Sequence, residues 1–140
     1  MTVYFDSSVV LRKVLGQPAS LEQWDEPWRG CSSVLTRLEC ARTLDRARLA
    51  GPWTADTLMA YQTAANEVLS AVDEIEITTA VLARARLPLT VPLATLDALH
   101  LSTAMIWRDQ NPEIEFAIAT HDRALGRAAR LMGLMVIGIE

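Results

Sequence analysis

Long apolar runs and a targeting segment are both missing from this sequence. It has no run of about 18 apolar residues, and no basic segment followed by an apolar one at its start. Because a membrane-spanning helix and a secretion signal need those features, we expect neither, and we expect a cytoplasmic protein. Cysteine is scarce too, and Cys31 and Cys40 lack the C-x-x-C spacing of a metal site. We expect reduced thiols, with a disulfide between them as the less favoured alternative.

Basic residues are fewer than acidic ones, with 13 lysines and arginines against 17 aspartates and glutamates. The formal net charge is −4 at pH 7, which argues against a protein that binds nucleic acid mainly through its overall field. Lysine occurs once, at Lys13, and the other basic residues are arginines, whose guanidinium groups suit planar, bidentate phosphate contacts. An acidic total can also mean that carboxylates are concentrated at a cation site. Charge alone does not decide between these readings.

The order of apolar segments predicts the fold class. The chain has 140 residues, of which about half are apolar, so we expect one domain, 1–140, with a packed core. Predicted strands alternate with predicted helices, which implies a mostly parallel sheet covered on both faces, a three-layer α/β/α sandwich. Strands are predicted at 3–5, 31–33, 75–77, 115–120 and 134–139. Helices are predicted at about 9–16, from 20 onward, and at 34–50, 54–70, 79–85, 96–108 (capped by Thr95) and 123–132.

Four acidic residues from distant segments fall close to predicted strand ends. Asp6 ends the first strand, and Glu39 lies in the helix after the second. Asp97 lies in the first turn of its helix, and Asp122 follows the 115–120 strand by two residues. A parallel topology would bring these groups to one edge of the sheet. Converging carboxylates stay ionised only if a cation neutralises them, and oxygen ligands favour Mg²⁺ or Mn²⁺.

Each of these carboxylates also has an ordinary structural interpretation. Asp6 and Asp122 can be helix N-caps, Asp97 can complement a helix dipole, and Glu39 can belong to a capping box. Taken one at a time, those interpretations are the favoured ones. The coincidence of four acids in one topology favours a shared site instead.

Four segments together resemble a known family. They are Phe5–Ser8, Leu38–Ala41, Leu96–Ala104 and Ala119–Leu125. They resemble the PIN-domain ribonucleases, and in particular the VapC toxins of bacterial toxin–antitoxin pairs, over essentially the whole chain. The third and fourth segments are the specific part of the resemblance, since the first alone is a weak signal.

The resemblance implies an endoribonuclease that uses Mg²⁺ or Mn²⁺ and leaves a 5′-phosphate and a 3′-hydroxyl. It implies a cognate antitoxin protein and a homodimer as partners, with Trp24 and Trp28 in the region that receives an antitoxin segment. It assigns no role to Ser8. The residues that it places at the site are the acids Asp6, Glu39, Asp97 and Asp122, with Thr120 contributing a hydroxyl group.

Two groups of arginines are candidates for RNA binding. Arg123, Arg127 and Arg130 recur at helical spacing beside Asp122, and could follow a phosphate backbone. Arg42 and Arg46 share the helical face of Glu39. The alternative for the first group is a solvated helix face, and the alternative for the second is pairing with acids. The two histidines, His100 and His121, are interpreted as structural, or as supporting a residue of the site, rather than as catalytic.

Three other functions compete with this one. A haloacid-dehalogenase-like phosphatase also begins with a strand that ends in aspartate, but it needs a second aspartate where Ser8 stands. A phospho-acceptor receiver domain needs a lysine near its site, and Lys13 is the only lysine. Both are therefore disfavoured. A PIN-like module that binds without catalysing stays open, because intact ligands do not prove turnover.

Overall fold

The structure, a computed structural model, describes residues 1–21, 24, 26 and 28–139. The helix predicted from Ser20 depends on Glu22 and Gln23, which lie outside the described residues. The elements in chain order are β1 (Thr2–Phe5), α1 (Ser7–Val14), β2 (Arg29–Ser33), α2 (Val34–Ala50), α3 (Ala55–Ser70), β3 (Asp73–Ile75), α4 (Thr79–Ala85), α5 (Thr95–Gln110), β4 (Phe116–Ala119), α6 (Arg123–Leu131) and β5 (Met135–Ile137).

The strands form one parallel sheet in the order β3-β2-β1-β4-β5. The central strand β1 pairs on one side with β2 and on the other with β4, so that Tyr4 lies opposite both Cys31 and Ile118. All four pairings are parallel. The carboxyl ends of the strands therefore meet at the same edge of the sheet, as the sequence predicts.

Helices cover both faces of this sheet. On β1, Tyr4 faces a core built with residues of α5 and α6, such as Leu101 and Leu125. Its neighbours Val3 and Phe5 face the opposite core, which is built with α1, α2 and α3. Alternate residues of a strand point to opposite faces, so a central strand with helices on both sides must be apolar throughout. The predicted three-layer α/β/α architecture is confirmed.

Side-chain caps fix where most of the helices begin. Ser33 caps α2, which runs over the predicted residues, and Thr78 caps α4. The prediction that Thr95 caps α5 is wrong, because the helix starts one residue earlier. The Ala98 amide donates to the Ala94 carbonyl, which makes Ala94 the N-cap without a side-chain bond.

The third strand lies two residues earlier than predicted, because it runs from Asp73 to Ile75 and leaves Ile77 outside. Its partner β2 gives way to α2 after Ser33, which is the residue that lies opposite Ile75. An edge strand cannot extend a ladder past the end of its neighbour. No helix in the described part of the chain is long and apolar enough to cross a membrane.

Gly138 lets the segment after β5 approach the sheet edge. It has a positive φ of 93°, and a Cβ there would lie 2.7 Å from the backbone oxygen of Thr120. Gly16 also has a positive φ, of 61°, but a Cβ there would meet nothing within 4 Å. The two glycines therefore separate the effect of backbone conformation from the effect of close approach.

We expect Gly138→Ala to lower the free energy of unfolding by roughly 2 to 4 kcal/mol, and Gly16→Ala by about 1 kcal/mol. Both substitutions strain a left-handed backbone, but only the first adds a clash with the backbone of Thr120. Urea unfolding of the two variants gives the comparison. Equal losses would mean that the segment at Gly138 moves away from Thr120 at no cost.

Candidate functional site

Asp6 is held by hydrogen bonds to both of its carboxylate oxygens. It follows the central strand and caps α1, and its residue is only 4% exposed. Oδ1 accepts from the Ser8 hydroxyl at 2.6 Å and from the Ser8 amide at 3.1 Å. Oδ2 accepts from the Thr120 hydroxyl at 2.7 Å. Burial raises the pKa of Asp6, although the hydrogen bonds from Ser8 and Thr120 oppose that effect.

Two hydroxyl groups connect Asp6 to the segment after β4. Thr120 is completely buried, and its hydroxyl accepts from the Asp122 amide at 2.9 Å while it donates to Asp6. The Ser8 hydroxyl accepts from the His121 amide at 2.9 Å while it also donates to Asp6. This double bridge fixes the ends of β1 and β4 relative to one another. Asp122 is thereby held beside the Asp6 carboxylate.

Asp122 is the N-cap of α6. Its Oδ1 accepts from the amides of Ala124 and Leu125 at 2.7 and 3.0 Å. Its other oxygen accepts no hydrogen bond from any residue that the structure describes. The capping interpretation and the site interpretation are therefore compatible, because a capping carboxylate uses one oxygen and leaves the other free.

Glu39 reaches the site from α2 and is paired with His100 on α5. The His100 Nε2 and the Glu39 Oε1 are 2.5 Å apart, and the His100 Nδ1 lies 2.6 Å from the Tyr4 hydroxyl. Burial alone would lower the pKa of His100, but the hydrogen bond and the charge of Glu39 outweigh it, so the pKa is raised. Burial and the Asp6 charge raise the pKa of Tyr4 well above its usual value, so the phenol keeps its proton.

Asp97 is the carboxylate on which the other acids act most clearly. It is partly buried in the first turn of α5 and accepts no hydrogen bond from the described residues. Its pKa is raised to about 6, first by burial and then by the charges of Asp122 and Asp6, with a smaller contribution from Glu39. A negative charge raises the pKa of a neighbouring carboxyl group appreciably only when the two groups lie a short distance apart. The four predicted acids therefore share one region at the carboxyl edge of the sheet.

The four acids lie in one region, but their side chains do not form a preorganised metal-binding site. Among residues 1–21, 24, 26 and 28–139, no group of three or more His, Cys, Asp or Glu side chains is arranged so that it could hold an ion. The chemistry of the donors nevertheless fits a hard divalent cation, because carboxylate oxygens are the ligands that Mg²⁺ and Mn²⁺ prefer. Burial first, and then repulsion from the other acids, raises the pKa of Asp97, and a bound cation would relieve that repulsion.

The candidate arginines differ in their contacts. Arg42 donates to Asp45 at 3.2 Å, which is the acid pairing that the sequence left open. Arg130 donates to the Ile139 carbonyl at 3.2 Å, and Arg46 to the Thr43 hydroxyl at 3.3 Å. Two arginines on α6 are exposed and make no hydrogen bond or ion pair with a described residue. These are Arg123 and Arg127.

Sequence reasoning missed two contributors to this site. Ser8 was assigned no role, yet its hydroxyl joins Asp6 to His121. A serine two residues after a strand-ending aspartate is a common capping pattern, and could have indicated the first of these bonds. The sequence gives no comparable indication for Tyr4, because a tyrosine within an apolar strand is normally interpreted as a residue of the hydrophobic core.

Asp97 also affects stability in a way that can be tested. Because its pKa is raised in the folded state, that state binds more protons than the unfolded chain between about pH 4 and 6. Stability is therefore lost as the pH rises through this window. In metal-free buffer at pH 7.5 we expect Asp97→Asn to raise the free energy of unfolding by about 1 kcal/mol, since solvent screening reduces the full linkage value.

The measurement is urea unfolding with a chelator present, at pH 7.5 and again at about pH 3. At about pH 3 the advantage of Asp97→Asn should vanish, because that pH lies below the pKa of the carboxyl in both the folded and the unfolded state. Asp56→Asn is the matched control, since Asp56 also lies in the first turn of a long helix. A variant no more stable than wild type at pH 7.5 would contradict the electrostatic description of the site.

Comparison with solved structures finds the same fold in other proteins. A protein from Pyrobaculum aerophilum matches with a TM-score of 0.66 and 16% identity over 98% of this chain and 84% of its own. A toxin–antitoxin complex from Klebsiella pneumoniae matches at 0.62 and 18%, over 99% and 95%. VapBC2 from Rickettsia felis, bound to a promoter DNA fragment, matches at 0.64 and 13%, over 97% of both chains.

At these identities the structural matches establish the fold, and the family follows from the sequence. No curated protein matches the sequence. The model of the PIN domain family matches residues 3–131, which span β1 to the end of α6 and include all four acids. The resemblance found in the sequence is confirmed, and the chain belongs to the PIN domain family.

Proposed function

We propose that the chain is a Mg²⁺- or Mn²⁺-dependent endoribonuclease and the toxin of a type II toxin–antitoxin pair. The observation that carries this proposal is the coupling of Asp97 to Asp122, Asp6 and Glu39 in one region of the sheet edge. Membership of the PIN domain family and the likeness of the fold to toxin–antitoxin structures support it. We propose further that residues 1–140 act as one domain in the cytoplasm.

In this proposal Asp6, Asp97 and Asp122 hold the cation, and Glu39 holds a second ion or orients the attacking water. A bound divalent cation lowers the pKa of its water and neutralises phosphate charge. The chain supplies the positions of its carboxylates. Thr120 and Ser8 donate to Asp6, which fixes the carboxylate and opposes the rise in its pKa that burial causes. The α6 cap leaves one oxygen of Asp122 without a hydrogen bond from any described residue.

The RNA-binding part of the proposal starts from α6. Arg123 and Arg127 are exposed, without described partners, and follow directly after Asp122. Free guanidinium groups next to a carboxylate site can hold the phosphates that flank a scissile bond. Three candidate arginines already donate hydrogen bonds within the protein: Arg42, Arg46 and Arg130. To bind an RNA phosphate, each would have to give up a weak surface contact.

The antitoxin partner is proposed on the side of the aromatic cluster. Trp24 and Trp28 lie 5.8 and 6.1 Å from Phe5, measured between ring centroids, and the Lys13 ammonium lies over the Trp24 ring. These rings pack on the α1 side of the sheet, so they suit a partner protein better than base stacking. A homodimer is part of the proposal, with no surface assigned to it.

One observation favours a different function, that of a PIN module that binds without cleaving. No group of three acidic or histidine side chains among the described residues is arranged to hold an ion. If the acids never assemble around a cation, the fold and the arginines could serve binding alone. The two proposals are separated by whether turnover depends on the acids.

We expect Asp97→Asn to reduce metal-dependent RNA cleavage by roughly 100-fold or more, because charge stabilisation worth several kcal/mol is lost. Purified protein, Mn²⁺ and total RNA give the assay, and circular dichroism checks the fold. Growth inhibition on expression in a bacterial host should disappear in the same variant. Asp56→Asn is the control and should cleave like wild type. Equal cleavage by wild type and Asp97→Asn would indicate a contaminating nuclease and favour the binding module.

We expect Arg127→Glu to weaken RNA binding, and to lower the slope of log affinity against log salt by roughly one, because a phosphate contact is removed. Fluorescence anisotropy of a labelled RNA at several salt concentrations measures both. Arg84→Glu is the control, because it makes the same change of charge on a different helix. Arg84 lies on α4 and pairs with Asp109, which is close to the C-terminal end of α5. If Arg127→Glu leaves the slope unchanged, α6 does not contact RNA.

A further inference from the structure

His100 lies enclosed between the central strand and two helices. Its residue is 1% exposed, and its ring nitrogens contact Tyr4 on β1 and Glu39 on α2. It lies three residues after Asp97 on α5, so the two side chains project from the same side of that helix. One helix thus presents a site acid and, one turn later, the group that holds another site acid.

The hydrogen-bond chemistry gives this contact a direction. An ionised carboxylate has no proton to donate, so the bond between His100 and Glu39 must use the Nε2–H of the ring. The other nitrogen faces the Tyr4 hydroxyl at 2.6 Å, and in the neutral ring that hydroxyl donates to it. In the neutral ring Tyr4 therefore fixes the proton on Nε2. In the protonated ring Nδ1–H donates to the Tyr4 oxygen instead, and in both forms Nε2–H donates to Glu39.

We propose that His100 is a positioning residue for Glu39, anchored by Tyr4. The inference rests on the proposed metal-dependent function and deepens it. A free glutamate side chain has three rotatable bonds, and losing that freedom opposes binding. His100 fixes Oε1, and Oε2 accepts no hydrogen bond from a described residue. Groups that orient a metal-binding carboxylate in this way typically change metal affinity by about 10- to 100-fold when they are removed.

The contacts of His100 with Tyr4 and Glu39 are enclosed by the surrounding structure. Tyr4 is fully buried on the central strand, and its ring meets the His100 ring edge-on with centroids 5.9 Å apart. The Glu39 side chain is 17% exposed, against 1% for His100. The anchor is therefore enclosed, while the side chain that it holds is partly open to solvent.

The test is Mn²⁺ binding by isothermal titration calorimetry on protein freed of metal. His100→Leu removes the donor and keeps an apolar side chain, and we expect at least roughly 10-fold weaker binding. His100→Gln should recover most of this loss, since its amide nitrogen lies as many bonds from Cα as Nε2 does. Tyr4→Phe, which removes only the anchoring hydroxyl, should weaken binding in the same direction, and it carries the test if His100→Leu does not fold.

A double-mutant cycle with Glu39→Gln separates positioning from packing. In the Glu39→Gln background we expect His100→Leu to change Mn²⁺ affinity by less than about 2-fold, because the group through which it acts is already altered. An equal factor in both backgrounds would overturn the inference, as would a His100→Leu variant that binds Mn²⁺ like wild type. Thr103→Val is the control on α5, because it removes a buried hydroxyl whose one hydrogen bond within the described part of the chain is to the Leu99 carbonyl. It should leave Mn²⁺ affinity unchanged.

Failure of the proposed function gives a different result. Wild-type protein that binds no Mn²⁺ would overturn the metal-dependent function, and this inference with it. Wild-type protein that binds Mn²⁺, with affinity unaffected by His100 and Tyr4, would overturn the inference alone. Urea unfolding of each variant, run in parallel, shows that the binding data come from folded protein.

Discussion

The hydrogen bond from the Thr120 hydroxyl to Asp6 is the interaction on which the arrangement of the site depends. It joins two residues that are 114 positions apart in the chain, and it is possible because β1 and β4 are parallel neighbours with Phe5 opposite Ala119. The same hydroxyl accepts a hydrogen bond from the Asp122 amide. One buried side chain therefore bonds to the carboxylate of Asp6 and to the backbone of Asp122. The parallel sheet determines which residues meet, and the hydroxyl determines how they are held.

Gathering carboxylates in this way has an energetic cost that the rest of the fold offsets. Burial and neighbouring charges raise the pKa of Asp97 to about 6, so ionisation at neutral pH opposes folding. Two apolar cores on opposite faces of the sheet supply the opposing stabilisation. Such a conflict between local electrostatics and stability is typical of functional sites, where charges are arranged for a ligand and not for the fold.

Residues with a local signal could be predicted from the sequence, whereas contacts between distant segments could not. The helices predicted to start at residues 34 and 79 do start there, capped by Ser33 and Thr78, because an N-cap acts within three residues of itself. The strand ends at Asp6 and near Asp122 followed from apolar runs. The bond between His100 and Glu39, by contrast, depends on how α5 packs against α2, and no periodicity carries that information. Thr95 failed as a cap because a helix can begin one residue earlier without any side-chain bond.

We propose that Asp6, Asp97 and Asp122 bind a divalent cation at the carboxyl edge of the sheet. Anomalous diffraction from crystals soaked in Mn²⁺ tests it most directly, because the metal position is seen without any assay of activity. We expect a strong anomalous peak coordinated by oxygens of these three carboxylates, with their side chains rotated toward it. A peak that is absent under saturating Mn²⁺, or that lies away from all three, would contradict the claim.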